Sequence, residues 1–302
     1  MLPGVRIRTS CTVGVMRKHP GGRFDRRRDD SGPFALSWRV RTYLDRILEF
    51  TYDRVAGEKQ KQSFGDLDRE ARALPQTRPF LAAMKGERIS LIAEFKRRSP
   101  SRGEIRLDFE PADAAGAYQR GGASAMSVLT EPQFFGGSMQ DLKAARAACR
   151  LPVLRKDFIV DPYQVVQARA GGADAILLIV AALPDIGLFT ELAGAAADYG
   201  MTALVEIHDP HELDAAFHVE PRLVGVNQRN LSTFEVDTGL AVKLRREIPS
   251  EVAMVAESGI ASHEQVEELQ EAGVDAILVG ETLMRAEDPS RAAAELLGAQ
   301  VD

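Results

Sequence analysis

The chain has 302 residues, of which 45% are hydrophobic and 27% charged, and a net charge of −6. These proportions are those of an ordinary globular protein and exclude a fibrous or low-complexity chain. Two cysteines, Cys11 and Cys149, are too few for a disulfide framework and have no CxxC spacing, so a reducing, cytoplasmic setting is expected. The longest apolar run, Ala175 to Leu183, ends at Pro184 and is far shorter than the roughly 20 residues of a membrane helix, so no membrane association is expected.

Charge is unevenly placed. Residues 1–41 hold ten Lys/Arg and three Asp/Glu, a balance of +7, which leaves −13 on the other 261 residues. An acidic body argues against nucleic-acid binding, and any anionic ligand must be held by a local set of cations and amides. Residues 1–35 are rich in Gly, Pro and Arg, as in Pro20-Gly21-Gly22-Arg23 and Arg26-Arg27-Arg28, and show no apolar period. A disordered basic arm is expected there. A transit peptide or a nucleic-acid contact is the alternative, and Met16 is a candidate internal start.

Residues 36–302 read as one domain, whose first part, 36–88, carries extra helices. Tyr43, Leu44, Ile47, Leu48 and Val55 have helical spacing, and a second helix is expected near Phe80 to Lys85. Eight short apolar runs follow. They are Leu91–Phe95, Ala125–Leu129, Pro152–Leu154, Ala175–Val180, Thr202–Ile207, Leu223–Val226, Val252–Ala256 and Ala276–Val279. Between them stand helix starts: Glu110-Pro111, Ser138, Asp161-Pro162, Pro184-Asp185, Asp209-Pro210, Asp237, Ser262 and Asp288-Pro289. Asp209 with Glu212, and Ser262 with Gln265, have capping-box spacing. Gly121-Gly122, Gly171-Gly172, Gly200 and Gly273 mark helix ends before the next strand. The strands recur about every 26 residues, the length of a βα unit. Continuous apolar strands imply a parallel sheet covered on both faces, and eight units fit a closed (β/α)8 TIM barrel, with a doubly wound sheet as the alternative. No GxGxxG follows the first strand, which removes the commonest signature of that alternative.

In such a barrel, chemistry belongs at the C-terminal strand ends. The first strand ends in Glu94-Phe95-Lys96, with Ser99 beyond it. The third ends in Arg155-Lys156-Asp157, the fifth in Glu206-Ile207-His208, the sixth in Asn227-Gln228-Arg229 and the seventh in Glu257-Ser258-Gly259. The eighth ends in Gly280-Glu281. Period-2 alternation points Glu94 and Lys96 the same way. Three carboxylates and two lysines at one mouth can shift one another's pKa values into a catalytic range. A lysine there can act as general acid with a glutamate as its base, and two lysines can hold a carboxylate. Ser258-Gly259 and Gly280-Glu281 occupy the loops that commonly bind phosphate in this fold, with Arg229 and Ser99 as further donors. His208 and His211 invite a metal site, but His211 falls in the first turn of a helix, so their rings need not converge and no metal is expected.

These strand ends, in this order, resemble the indole-3-glycerol-phosphate synthase family. The segments that carry the resemblance are Ile92 to Ser101, Leu129 to Ser138, Leu154 to Tyr163 and Leu204 to His208. Gly225 to Leu231, Ala256 to Ile260 and Leu278 to Glu281 add to it. The resemblance covers about residues 40–298. It implies a carboxy-lyase of tryptophan biosynthesis whose small phosphorylated substrate is 1-(2-carboxyphenylamino)-1-deoxyribulose 5-phosphate, with indole-3-glycerol phosphate, carbon dioxide and water as products. No metal or organic cofactor is implied. The chain is expected to be a monomer, with a weak dimer as the alternative.

By the same resemblance, Lys156 looks like the general acid and Glu206 like the group that handles protons in the dehydration. Lys96 would hold the anthranilate carboxylate, with a role as acid as the alternative. Glu94 and Glu257 would orient the lysines and stabilise the cationic iminium intermediate, and Asn227 would bind the anthranilate and sugar region. Arg229, Ser99, Ser258, Gly259, Gly280 and Glu281 would form the phosphate site. Phe95, Phe135 and Leu231 would supply the apolar wall toward which the departing carboxylate moves. Two departures stand out: Glu281 where many members have Ser, and Gly136 where Asn is frequent. The rival readings are another phosphate-binding barrel, such as phosphoribosylanthranilate isomerase, and an inactive barrel used as a scaffold. Neither cysteine sits at a strand end, as the first would require.

Overall fold

Eight parallel strands close into a ring, each hydrogen-bonded to the next and the last to the first. In this computed structural model residues 41–100, 103–231 and 233–299 are described, so the basic arm expected at 1–35 lies outside the described residues. The strands are β1 (Ser90–Phe95), β2 (Ala125–Leu129), β3 (Val153–Lys156) and β4 (Ala175–Ile179), then β5 (Thr202–Ile207), β6 (Leu223–Asn227), β7 (Ala253–Glu257) and β8 (Ala276–Val279). All eight were expected. β3, β6 and β7 run on to Lys156, Asn227 and Glu257, so these polar side chains are set by strand backbone rather than by loops.

Among the described residues the (β/α)8 barrel carries three helices ahead of β1, one more than expected: α1 (Tyr43–Lys61), α2 (Phe64–Ala73) and α3 (Phe80–Ala83). α2 escapes a periodicity search because it buries only Leu67 and Ala71. Its start is nonetheless marked, since Ser63 Oγ accepts from Asp66 N. Ten further helices follow: α4 (Pro111–Arg120), α5 (Pro132–Phe135), α6 (Met139–Ala148), α7 (Pro162–Ala170), α8 (Ile186–Asp198), α9 (Leu213–Phe217), α10 (Leu240–Arg245), α11 (His263–Glu271), α12 (Glu281–Arg285) and α13 (Pro289–Leu296).

Most caps are those the sequence marks, and Ser262 with Gln265 forms the reciprocal capping box. Two differ. Glu212 does not return to Asp209; its carboxylate accepts from His208 N instead, at 2.7 Å. Asp237 caps a turn, accepting from Gly239 N, and the helix begins only at Leu240.

The apolar residues form two layers. Alternate strand positions such as Ile92, Leu154, Leu204, Val255 and Leu278 fill the barrel. The others, such as Leu91, Ala93, Phe95, Val153 and Val226, pack outward beneath the helices. Phe95 therefore faces the helices, not the mouth, and is no part of the expected apolar wall; alternation from the inward Glu94 requires this. Ser90 Oγ donates to Ala83 O, which sets α3 at the N-terminal end of β1.

Candidate active site

Thirteen of the fourteen expected site residues line one cavity of about 600 Å³ at the C-terminal ends of the strands. They are Glu94, Lys96, Ser99, Phe135, Lys156, Glu206, Asn227, Arg229, Leu231, Ser258, Gly259, Gly280 and Glu281. The exception is Glu257, fully buried, which touches Lys156 without reaching the cavity wall. Tyr43, Leu44 and Ile47 of α1 also line the cavity. The N-terminal extension thus takes part in the site, which its distance from the strand ends in sequence conceals.

Lys156 is the centre. Its Nζ lies 2.5 Å from Glu257 Oε2, 3.6 Å from Glu94 Oε2 and 3.7 Å from Glu206 Oε2. Lys96 Nζ lies 2.5 Å from Glu94 Oε1. Two glycines make room for these carboxylates. A Cβ on Gly225 would overlap the Glu257 carboxylate, and one on Gly280 would overlap that of Glu94. Gly280 was expected only as a phosphate contact; its absent side chain serves the acid–base cluster as well.

Burial and electrostatics oppose each other here. Burial favours neutral Lys156, but Glu257, Glu94 and Glu206 outweigh it and hold the ammonium more firmly than an ordinary lysine. Burial raises Glu94, yet Lys96 and Lys156 bring it below the usual carboxylate range. Between Glu206 and Glu257 the balance divides. Burial and the repulsion of Glu206 push Glu257 up, while His208 and Lys156 overcome burial and hold Glu206 down. Glu206 Oε2 and Glu257 Oε1 are buried without hydrogen-bond partners among the described residues.

Asn227 ties Glu206, Ser258 and Arg229 together. Asn227 Nδ2 donates to Glu206 Oε1 at 3.4 Å, and Asn227 Oδ1 accepts from Ser258 Oγ at 2.9 Å and Arg229 N at 3.1 Å. Ser258, at φ 68°, and Gly259, at φ 78°, turn the chain sharply beyond β7. Arg229 reaches Phe234 O at 3.1 Å. Glu281 is paired with Arg285, Nε to Oε1 at 3.1 Å, which offsets a carboxylate at a mouth meant for an anion.

The apolar wall is built locally. Glu131, fully buried, caps α5 by accepting from Gln133, Phe134 and Phe135 N at 2.9, 2.6 and 3.0 Å. Gly136 ends the helix at φ 66°. Phe135 then stands 6.1 Å, ring to ring, from Phe158, which also lines the cavity and was not anticipated. His208 and His211 do not converge. The first is buried against Glu206 and the second has a 97% exposed side chain. Among the described residues no group of three or more His, Cys, Asp or Glu is arranged to hold a metal ion.

A family model described as indole-3-glycerol phosphate synthase matches residues 44–296. The chain belongs to the indole-3-glycerol phosphate synthase family. The indole-3-glycerol phosphate synthase of Acidovorax sp. (strain JS42) is 47% identical over 261 residues, 84% of this chain and 98% of that protein. Its counterpart in Bordetella pertussis is 46% identical over 258 residues, with the same coverage. Among solved structures, a thiamine phosphate pyrophosphorylase from Pyrococcus furiosus superposes with a TM-score of 0.52 at 20% identity, covering 69% of this chain and 93% of that one. So low an identity speaks for the barrel alone. Every rim residue on which the resemblance rested lies within the matched span. No described helix is long and apolar enough to cross a membrane.

Proposed function

We propose that the cavity takes 1-(2-carboxyphenylamino)-1-deoxyribulose 5-phosphate and closes its indole ring, with Lys156 as the acid and Glu206 as the base. The observation that carries the assignment is one ammonium held within 3.7 Å of three carboxylates at a mouth walled by Phe135, Phe158 and Leu231.

The chemistry runs in three steps. The ring carbon bearing the carboxylate attacks the sugar carbonyl carbon, and Lys156 protonates the oxygen. A lysine that holds its proton this firmly still gives it to an oxygen that is becoming an alkoxide, a stronger base than the amine. The nitrogen becomes a cationic iminium, stabilised by the surrounding carboxylates. The bond to the carboxylate then breaks, carbon dioxide leaves, and the electron pair neutralises the iminium. Phe135 and Leu231 offer the apolar surface that favours losing that charge. Last, the new hydroxyl takes a second proton and departs as water while Glu206 removes the hydrogen from the carbon beside nitrogen.

Lys96 meets the substrate carboxylate, with Glu94 orienting it. Glu257 positions Lys156 from behind, and Asn227 holds Glu206. Arg229, Ser99, Ser258, Gly259, Gly280 and Glu281 surround the phosphate, the last three through backbone groups. A monomeric enzyme in a cytoplasmic setting is proposed with this reading.

The test is indole fluorescence during incubation of the full chain with this substrate and a chelator. A growing indole signal is expected. Tight binding without turnover would favour a scaffold, and no binding would contradict the substrate.

A further inference from the structure

Ring closure consumes a proton. The sugar oxygen receives two, first as it becomes a hydroxyl and again as it leaves in water, and only one returns from the carbon beside nitrogen. The carboxylate departs as neutral carbon dioxide, so each turnover draws one proton from the bulk. Bound substrate fills the mouth above Lys156 and Glu206, and the side chains of both are mostly shielded from solvent. A path besides the mouth would let that proton in before product has left.

We propose that Glu212 and His208 carry this proton from the rim to Glu206 and so to Lys156. The idea rests on the ring-closing reading above. His208 follows β5 two residues after Glu206, on the same side of the extended chain. Its Nε2 lies 3.1 Å from Glu206 Oε1, and its Nδ1 lies 3.7 Å from Glu212 Oε2. Glu206 Oε2 in turn lies 3.7 Å from Lys156 Nζ. Three gaps of at most 3.7 Å thus join a rim carboxylate to the buried ammonium. The exposure of the side chains falls along the path, from 21% at Glu212 to 8% at His208 and 2% at Glu206.

Three further observations fit a relay better than a fixed ion pair. The hydrogen bond from His208 N anchors the Glu212 carboxylate beside the ring. The imidazole stands between two carboxylates within ion-pair distance of both, and neither ring nitrogen makes an in-line hydrogen bond among the described residues. His208 is not part of the cavity wall, so substrate in the mouth does not block it. Glu206 and Glu212 are the charged groups that face the ring, with Lys156 beyond Glu206.

The transfer is of protons only. After Lys156 has protonated the sugar oxygen, Glu206 passes it the proton taken from carbon. Lys96 gives the second proton; His208 donates Nε2–H to Glu206 and so to Lys156, and Glu94, 3.6 Å from Lys156 Nζ and 2.5 Å from Lys96 Nζ, passes a proton on to Lys96. The neutral ring regains a proton at Nδ1 from Glu212, which refills from water. The chain ends on the strongest base in the site, which gives it direction.

His208→Gln and Glu212→Gln in the full chain test this, once wild type has been shown to form indole product; failure there would sink the reaction, not the relay. His208→Gln is expected to lose about tenfold or more in kcat, with KM within about twofold. Its first turnover, run on protons already loaded, stays fast, so product appears as a burst of one per site that wild type lacks. Added imidazole restores the steady rate. Glu212→Gln, at the rim, decides the matter if the first variant fails to fold; a loss of about threefold, also restored by imidazole, is expected. Unchanged kcat, or a loss that imidazole does not restore, overturns the proposal.

Discussion

Two buried charge clusters lie one residue apart on β3 and could hardly differ more in their chemistry. Lys156 points into the barrel mouth, among carboxylates with unpaired oxygens beside a cavity. Arg155, fully buried, points the other way, and each arm of its guanidinium is used. Nε donates to Thr130 Oγ1 at 3.1 Å, one terminal nitrogen to Gln164 O at 2.7 Å, and the other to Asp157 Oδ2 at 2.8 Å. Asp157 further accepts from Thr130 Oγ1, from Phe158 N and from Arg54 of α1. This cluster fastens the N-terminal extension to the strand that carries Lys156. Buried charge alone therefore does not mark a reactive site. Carboxylate oxygens left unpaired around an ammonium at the cavity do, whereas a guanidinium with every arm used, as at Arg155, reads as structure.

Substitution on each face separates the two roles. The largest effect is expected from Lys156→Met, which removes the proposed acid and should cut kcat by about 10³-fold or more while leaving a cooperative melt. Next comes Arg155→Met, which leaves Asp157 with Arg54 as its remaining guanidinium. About 3 kcal/mol of stability should go, seen as a fall in Tm of roughly 10 °C, with turnover of the folded protein within about threefold of wild type. Gly225→Ala sits between the two, since its new methyl meets the Glu257 carboxylate. Displacing that carboxylate from Lys156 should lower kcat by about 10- to 100-fold with little change in Tm.

The smallest effect concerns pH. Burial alone would lower His208, but Glu206 and Glu212 outweigh it and raise it to about 10 from the ordinary 6.5. A raised value on a base means that the charged form is stabilised by folding. That stabilisation is complete below pH 6.5 and is lost as pH rises through about 10. The Tm difference between wild type and His208→Gln should therefore shrink across that window. A constant difference would mean that His208 is not held as a cation in the folded protein.

The barrel was legible in the sequence because each βα unit carries its own marks: an apolar run, a capping residue, a closing glycine. The rim was legible because polar residues that interrupt such runs at one end have few other reasons to be there. What stayed hidden depends on contacts between distant segments. Nothing near Tyr43 announces that α1 lines the cavity, and nothing in β6 says that Gly225 is empty to admit Glu257. One misreading was avoidable. The alternation that pairs Glu94 with Lys96 also turns Phe95 outward, and it sets His208 beside Glu206. Glu212 was read as a helix cap because spacing alone does not say which backbone amide a carboxylate will reach.

The most direct test of the division on β3 is to measure kcat and Tm of Lys156→Met and Arg155→Met side by side with wild type. The expected result is that the first variant loses turnover but melts near wild type, and the second melts early but turns over. If Lys156→Met retained its rate, or if both variants lost activity and stability in proportion, the chemistry would not belong to the inward face of the strand.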